Sequence, residues 1–121
     1  GSVLVADAMF PKLFSDATRE QQPELVAAMR QTMLSTAPAG IAAALLGLAE
    51  RVDARPWLQQ IEIPTLVVCG RQDVISPVEE MKEIAEAIPH ARFVEIAEAG
   101  HMAPLENPRL VNAAIHQHLQ E

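Results

Sequence analysis

A chain of 121 residues, half of them hydrophobic, is long enough for one domain with its own core and too apolar for a disordered segment. The net charge of −7 is spread along the chain with no cluster of Lys or Arg, which argues against binding to nucleic acid or to an anionic membrane surface. One cysteine closes no internal disulfide, and no apolar run reaches the roughly 18 residues of a membrane span, so a soluble protein of a reducing, cytoplasmic compartment is expected. Gly1-Ser2 reads as a cloning remnant, so the natural start of this stretch is expected inside a longer gene.

Val3 to Phe14 is apolar with Pro11 inside it, and predicts a short helix with an irregular end. Thr18 to Gln22 is polar, and Pro23 suits the first turn of a helix, where its missing N–H would have no partner anyway. Leu25, Val26, Met29 and Met33 then recur at helical spacing. Ser35-Thr36-Ala37-Pro38 breaks this helix and starts another, with Ile41, Leu45 and Leu48 on one face and alanines around them. That second helix is apolar nearly all round, so cover on more than one side is expected. Residues 3–54 thus form a helical segment.

Residues 55–121 alternate between strand and helix. Trp57 and Leu58 are expected to pack where the two segments meet. Thr65-Leu66-Val67-Val68-Cys69 is a continuous β-prone run, as in a strand buried on both faces. Ser76-Pro77-Val78-Glu79 reads as a capping box with Ser76 as the cap. Val78, Met81, Ala85 and Ile88 mark the face of the helix that follows, and Pro89 stops it. Arg92 to Ile96 is the second strand. Asn107-Pro108 opens a last helix whose inner face is Leu110, Val111, Ala114, Ile115 and Leu119. The fold class is α/β: a βαβα unit whose two strands run parallel with a right-handed crossover.

Neighbouring parallel strands lie about 4.8 Å apart and end on the same edge, where open α/β sheets bind ligands. Asp73 follows the first strand and His101 the second, so the two side chains can meet. A carboxylate accepting from one imidazole nitrogen fixes the tautomer and leaves the other nitrogen free to take a proton. Taken singly, an Asp before a helix is as often a turn former, and a His in a loop is often incidental. Their shared place beyond consecutive strands favours a functional pair.

The run Ile63-Pro64-Thr65-Leu66-Val67-Val68-Cys69-Gly70-Arg71-Gln72-Asp73, followed by Ala99-Gly100-His101-Met102-Ala103-Pro104-Leu105-Glu106-Asn107-Pro108, resembles the C-terminal part of an α/β-hydrolase. The similarity is to the branch of haloperoxidase-like esterases and 3-oxoadipate enol-lactonases. It implies a truncated α/β-hydrolase fold, with residues 3–54 as a cap-like helical segment and residues 55–121 as the end of the core. It also implies Asp73 as the triad acid and His101 as the triad base, in the family's chain order. The nucleophile elbow, G-x-S-x-G, does not occur here: Ser2, Ser15, Ser35 and Ser76 all lack the flanking glycines. The resemblance therefore implies a fragment of an ester or lactone hydrolase that lacks its N-terminal core and is inactive alone.

Other candidates are weaker. Cys69 lies within the apolar strand, where burial raises a thiol pKa and disfavours a nucleophile. His116 and His118 stand two apart on a helix and face different ways, and with His90 elsewhere no zinc spacing results. Gly100 is read as structural, and Glu106 as a surface or capping residue with a possible role in orienting the histidine loop. Met29, Met33 and Met102 are candidates to line an acyl pocket, beside Met9 and Phe10, although methionine at helical spacing is commonly plain core. No metal or organic cofactor is expected. The competing reading is a binding or assembly module derived from such a hydrolase. In either case two strands leave an open sheet edge, and a homo-oligomer is expected.

Overall fold

The computed structural model describes residues 2–120, apart from the side chain of Ser2; the remnant expected at Gly1 lies outside the described residues. Four helices come first: α1 (Ser2–Leu13), α2 (Asp16–Gln21), α3 (Pro23–Ser35) and α4 (Pro38–Ala49). A 3-10 turn over Arg55–Gln60 leads to β1 (Thr65–Gly70), α5 (Val78–Ala87), β2 (Ala91–Ile96), α6 (Ala103–Glu106) and α7 (Pro108–His118). The two strands pair in parallel from Thr65 opposite Ala91 to Gly70 opposite Ile96, so both leave the sheet level with one another. That register is what brings the two following loops together.

The core under this edge is built from aliphatic residues. Ile96, Ala99, Ala103 and Val111 are buried together, with Val68, Val94 and Leu110 packed against them. Asn107 caps α7 by accepting the N–H of Leu110, and Val111 and Ala114 turn inward, whereas Ile115 and Leu119 are exposed rather than on the inner face. A second nucleus forms at the end of α1, where Ala6, Leu13 and Phe14 are buried and the rings of Phe10 and Phe14 meet edge to face at 5.7 Å. Arg30 ties α3 to α1 through an ion pair with Asp7 and a guanidinium placed over Phe10. Among the described residues, no single helix is long and apolar enough to cross a membrane.

The polar stretch before Pro23 is a helix in its own right, because Ser15 takes an extended conformation and its hydroxyl accepts the N–H of Thr18 at 3.1 Å. Three local expectations are corrected. Ser76 does not cap α5. It precedes a proline that favours extended backbone, the helix starts at Val78, and the backbone N–H groups of Ile75 and Ser76 both donate to Asp73 instead. Helix α4 is not covered. The chain bends by 94° between α3 and α4, and Leu45, Leu46 and Leu48 are at least half exposed. Trp57 is likewise 52% exposed, while Leu58 is half-buried.

The tightest point in the molecule lies where β1 ends. A Cβ on Gly70 would collide with the carbonyl oxygen of Gly100 and lie 2.6 Å from that of Ala99. A Cβ on Gly100 would lie 2.9 Å from the backbone nitrogen of Ser15. Both obstacles are backbone, which cannot step aside as a side-chain tip can. Gly70→Ala is therefore expected to lose about 3 kcal/mol of stability in urea denaturation. Gly47→Ala, on α4 with open space around it, is expected to stay within about 1 kcal/mol of the parent chain.

Candidate active site

The loop after β1 is held by its backbone. Arg71 N–H donates to the Ile96 carbonyl and Gln72 N–H to that of Ala99, both at 2.9 Å, and Asp73 N–H turns back to Gly70 at 3.1 Å. The Asp73 side chain is only 7% exposed. Its Oδ1 accepts the N–H groups of Ile75 and Ser76, each at 2.9 Å, which fixes the carboxylate plane. Oδ2 lies 2.9 Å from His101 Nδ1, and Oδ1 lies 3.2 Å from the same atom.

A carboxylate can only accept, so Nδ1 of a neutral His101 carries the proton and Nε2 carries the lone pair. The imidazole is a third exposed, against a nearly buried acid. The arrangement can hold a proton acceptor in one tautomer and stabilise it once charged. Asp73 and His101 are thus brought together as expected from their place beyond consecutive strands.

They sit on a cavity of about 500 Å³ whose walls include Leu66 and Val68 of β1 and Val111, Ile115 and His118 of α7. The three candidate methionines are not among its lining residues. Met29 and Met33 are half-buried on α3, and Met102 is half-buried beside His101, its N–H donated to the Leu13 carbonyl at 3.1 Å. A larger hollow of about 790 Å³ lies between the 3-10 turn and α5, bordered by Arg51, Asp53, Arg55 and Glu83. It contains neither half of the pair. Within it the hydrogen bonds from Arg55 hold the Asp53 carboxyl down at about 2.

His118 is half-buried, and its Nδ1 is enclosed without a hydrogen-bond partner. His116 is exposed and pairs with Gln120. Among the described residues, no group of three or more His, Cys, Asp or Glu side chains is placed to hold a metal ion.

Sequence reasoning undervalued Glu106. It is buried, not a surface residue, and its two oxygens accept the backbone N–H groups of Ser15 and Gly100, each at 2.7 Å. Gln72 acts in the same way: its side-chain oxygen accepts Asp16 N–H at 3.1 Å. The partner of Gln72 and the Ser15 partner of Glu106 are backbone groups far away in sequence, so composition carries no sign of them. The signal the sequence did offer was the place of Glu106 within the run Ala99 to Pro108 that carries the resemblance.

The profile of the alpha/beta hydrolase fold family matches residues 5–108. The chain belongs to this family. It is 32% identical to 3-oxoadipate enol-lactonase 2 of Acinetobacter baylyi over 115 residues, which cover 95% of this chain and 42% of the relative. Among solved structures, a thermophilic esterase from Thermogutta terrifontis superposes with a TM-score of 0.96 at 43% identity, over 99% of this chain and 44% of the esterase. The enol-lactonase from Burkholderia xenovorans superposes with a TM-score of 0.91 at 29% identity, over 100% of this chain and 46% of the lactonase. The chain spans less than half the length of each of these relatives.

Cys69 fits no nucleophilic role. It is 3% exposed, and burial, followed by the negative charges of Asp73, Glu95 and Glu79, raises its pKa. A raised pKa means less thiolate at any given pH. Iodoacetamide is therefore expected to alkylate Cys69 in the folded chain at pH 8 at least about tenfold more slowly than in the urea-unfolded chain, with the rate still climbing above the ordinary thiol range. Equal rates in the two states would show an accessible, ordinary thiol.

Proposed function

We propose that the chain is the acid–base half of a serine hydrolase acting on a carboxylic ester, a lactone or a similar acyl compound. The observation that carries this reading is the contact of 2.9 Å between His101 Nδ1 and an Asp73 carboxylate that two backbone N–H groups hold in place. Membership of the family and the likeness to an esterase and an enol-lactonase support the substrate class.

In this reading, Nε2 of His101 removes the proton from a serine hydroxyl as the hydroxyl attacks the acyl carbon. It returns that proton to the leaving oxygen, then activates the water that releases the acid. Asp73 keeps the imidazole in the Nδ1–H tautomer and stabilises the imidazolium. The nucleophile and the oxyanion donors come from outside these 121 residues. Ser15 is buried in its own cap, and neither Ser35 nor Ser76 stands in a glycine-flanked elbow. The chain alone is therefore inactive.

A fluorophosphonate probe tests both halves of this reading. A longer protein carrying these residues after a G-x-S-x-G segment is expected to be labelled and to hydrolyse simple aryl esters. His101→Ala and Asp73→Asn should each lower kcat by about 10⁴-fold. The 121-residue chain should not be labelled. Stoichiometric labelling of the chain alone, or full turnover by the His101→Ala protein, would overturn the assignment.

The open faces support a proposal about assembly. β1 pairs with β2 alone among the described residues, and Leu45, Leu46 and Leu48 are bare on α4. An unpaired strand edge together with exposed apolar surface favours association. The isolated chain is expected to be a dimer or larger by light scattering at micromolar concentration; a compact monomer would count against this.

A further inference from the structure

We propose that Glu106 is a positioning residue for His101: its buried carboxylate clamps the histidine loop to the turn between α1 and α2, and thereby holds the imidazole against Asp73. The proposal rests on the reading of Asp73 and His101 as an acid–base pair, and adds the group that sets their geometry.

The residues on either side of His101 each donate a backbone N–H outside their own turn. On one side, Gly100 N–H donates to Glu106 Oε2 at 2.7 Å. On the other, Met102 N–H donates to the Leu13 carbonyl at 3.1 Å. The second oxygen of Glu106 takes Ser15 N–H, also at 2.7 Å, so one carboxylate joins the histidine loop to the α1–α2 turn. Two further bonds tie the same regions: Ser15 Oγ donates to the Glu98 carbonyl at 3.0 Å, and Gln22 Nε2 donates to the Glu106 carbonyl at 2.9 Å.

The acid loop reaches the same turn through the bond from Asp16 N–H to Gln72 Oε1. Acid and base are therefore both fastened to residues 13–22. A carboxylate suits this place because it accepts on both sides. An amide of the same size presents an NH₂ group to one of two N–H donors, and that bond is lost. The remaining donor is left buried without a partner, and the loop is free to relax toward water.

Nitrogen-15 NMR of the His101 side chain, in the 121-residue chain with intact far-UV circular dichroism, tests the proposal without needing turnover. In the parent chain His101 is expected in the Nδ1–H tautomer with a proton protected from exchange, and Asp73→Asn should abolish that signature. Glu106→Gln should speed Nδ1–H exchange at least about tenfold and mix the tautomers, and Glu106→Asp, which keeps the charge, should recover part of the protection. A folded Glu106→Gln chain with the parent signature would overturn the proposal.

If Glu106→Gln does not fold, Glu106→Asp decides the matter, because the shorter carboxylate cannot hold both N–H donors at 2.7 Å. Faster Nδ1–H exchange supports the clamp, and unchanged exchange overturns it. If Asp73→Asn leaves the parent signature untouched, the acid–base reading fails and the clamp falls with it. If Asp73→Asn abolishes the signature while Glu106→Gln does not, the clamp alone is refuted.

Discussion

Three stretches of backbone pass over one another at the carboxyl edge of the sheet, and the candidate site depends on how closely they do so. β1 ends at Gly70 beneath the carbonyls of Ala99 and Gly100, and Gly100 in turn lies against the backbone of Ser15. Neither crossing leaves room for a methyl group. A hydrogen bond weakens rapidly beyond about 3.2 Å. Pushing the loops apart by the width of one carbon would break the contact between Asp73 and His101. The pair thus owes its geometry to two side chains that are absent as much as to the two that meet.

Two buried carboxylates divide the work at this edge. Burying a charge is costly unless hydrogen bonds replace the lost water, and both groups meet that demand with backbone N–H donors. Asp73 gathers two donors on Oδ1 and keeps Oδ2 for the imidazole. Glu106 commits each oxygen to a backbone donor, one on the histidine loop and one on the α1–α2 turn. Their settings differ for a reason: a group that responds to a proton on its neighbour needs an oxygen facing that neighbour, and a group that fixes a loop does not.

What the sequence disclosed follows the range of the forces involved. Helices α3, α5 and α7 and both strands follow from apolar periodicity and proline placement, which act within a turn or two. Asp73 and His101 were legible because each lies just beyond a strand, and parallel pairing turns that into proximity. Glu106, Ser15 and Gln72 were not legible in the same way, since each acts on a backbone group tens of residues away. Helix α2 was hidden because its cap, Ser15, stands outside the polar stretch it organises. Ser76 misled because its residue type suits a cap, while Asp73 competes for its N–H.

Helix α4 shows the limit of periodicity from the opposite side. An apolar sequence reports that a helix needs a partner, not that its own chain provides one. In this chain α4 turns by 94° from α3, and its leucines stay exposed. The cavity at Asp73 and His101 makes a related point, since two of its walls are the β1 residues Leu66 and Val68. Polypeptide added along β1 would remove apolar surface from water and also border the space beside the imidazole. Water excluded there would strengthen the interaction between the carboxylate and a charged His101. Packing and chemistry at this edge would then be completed by the same act.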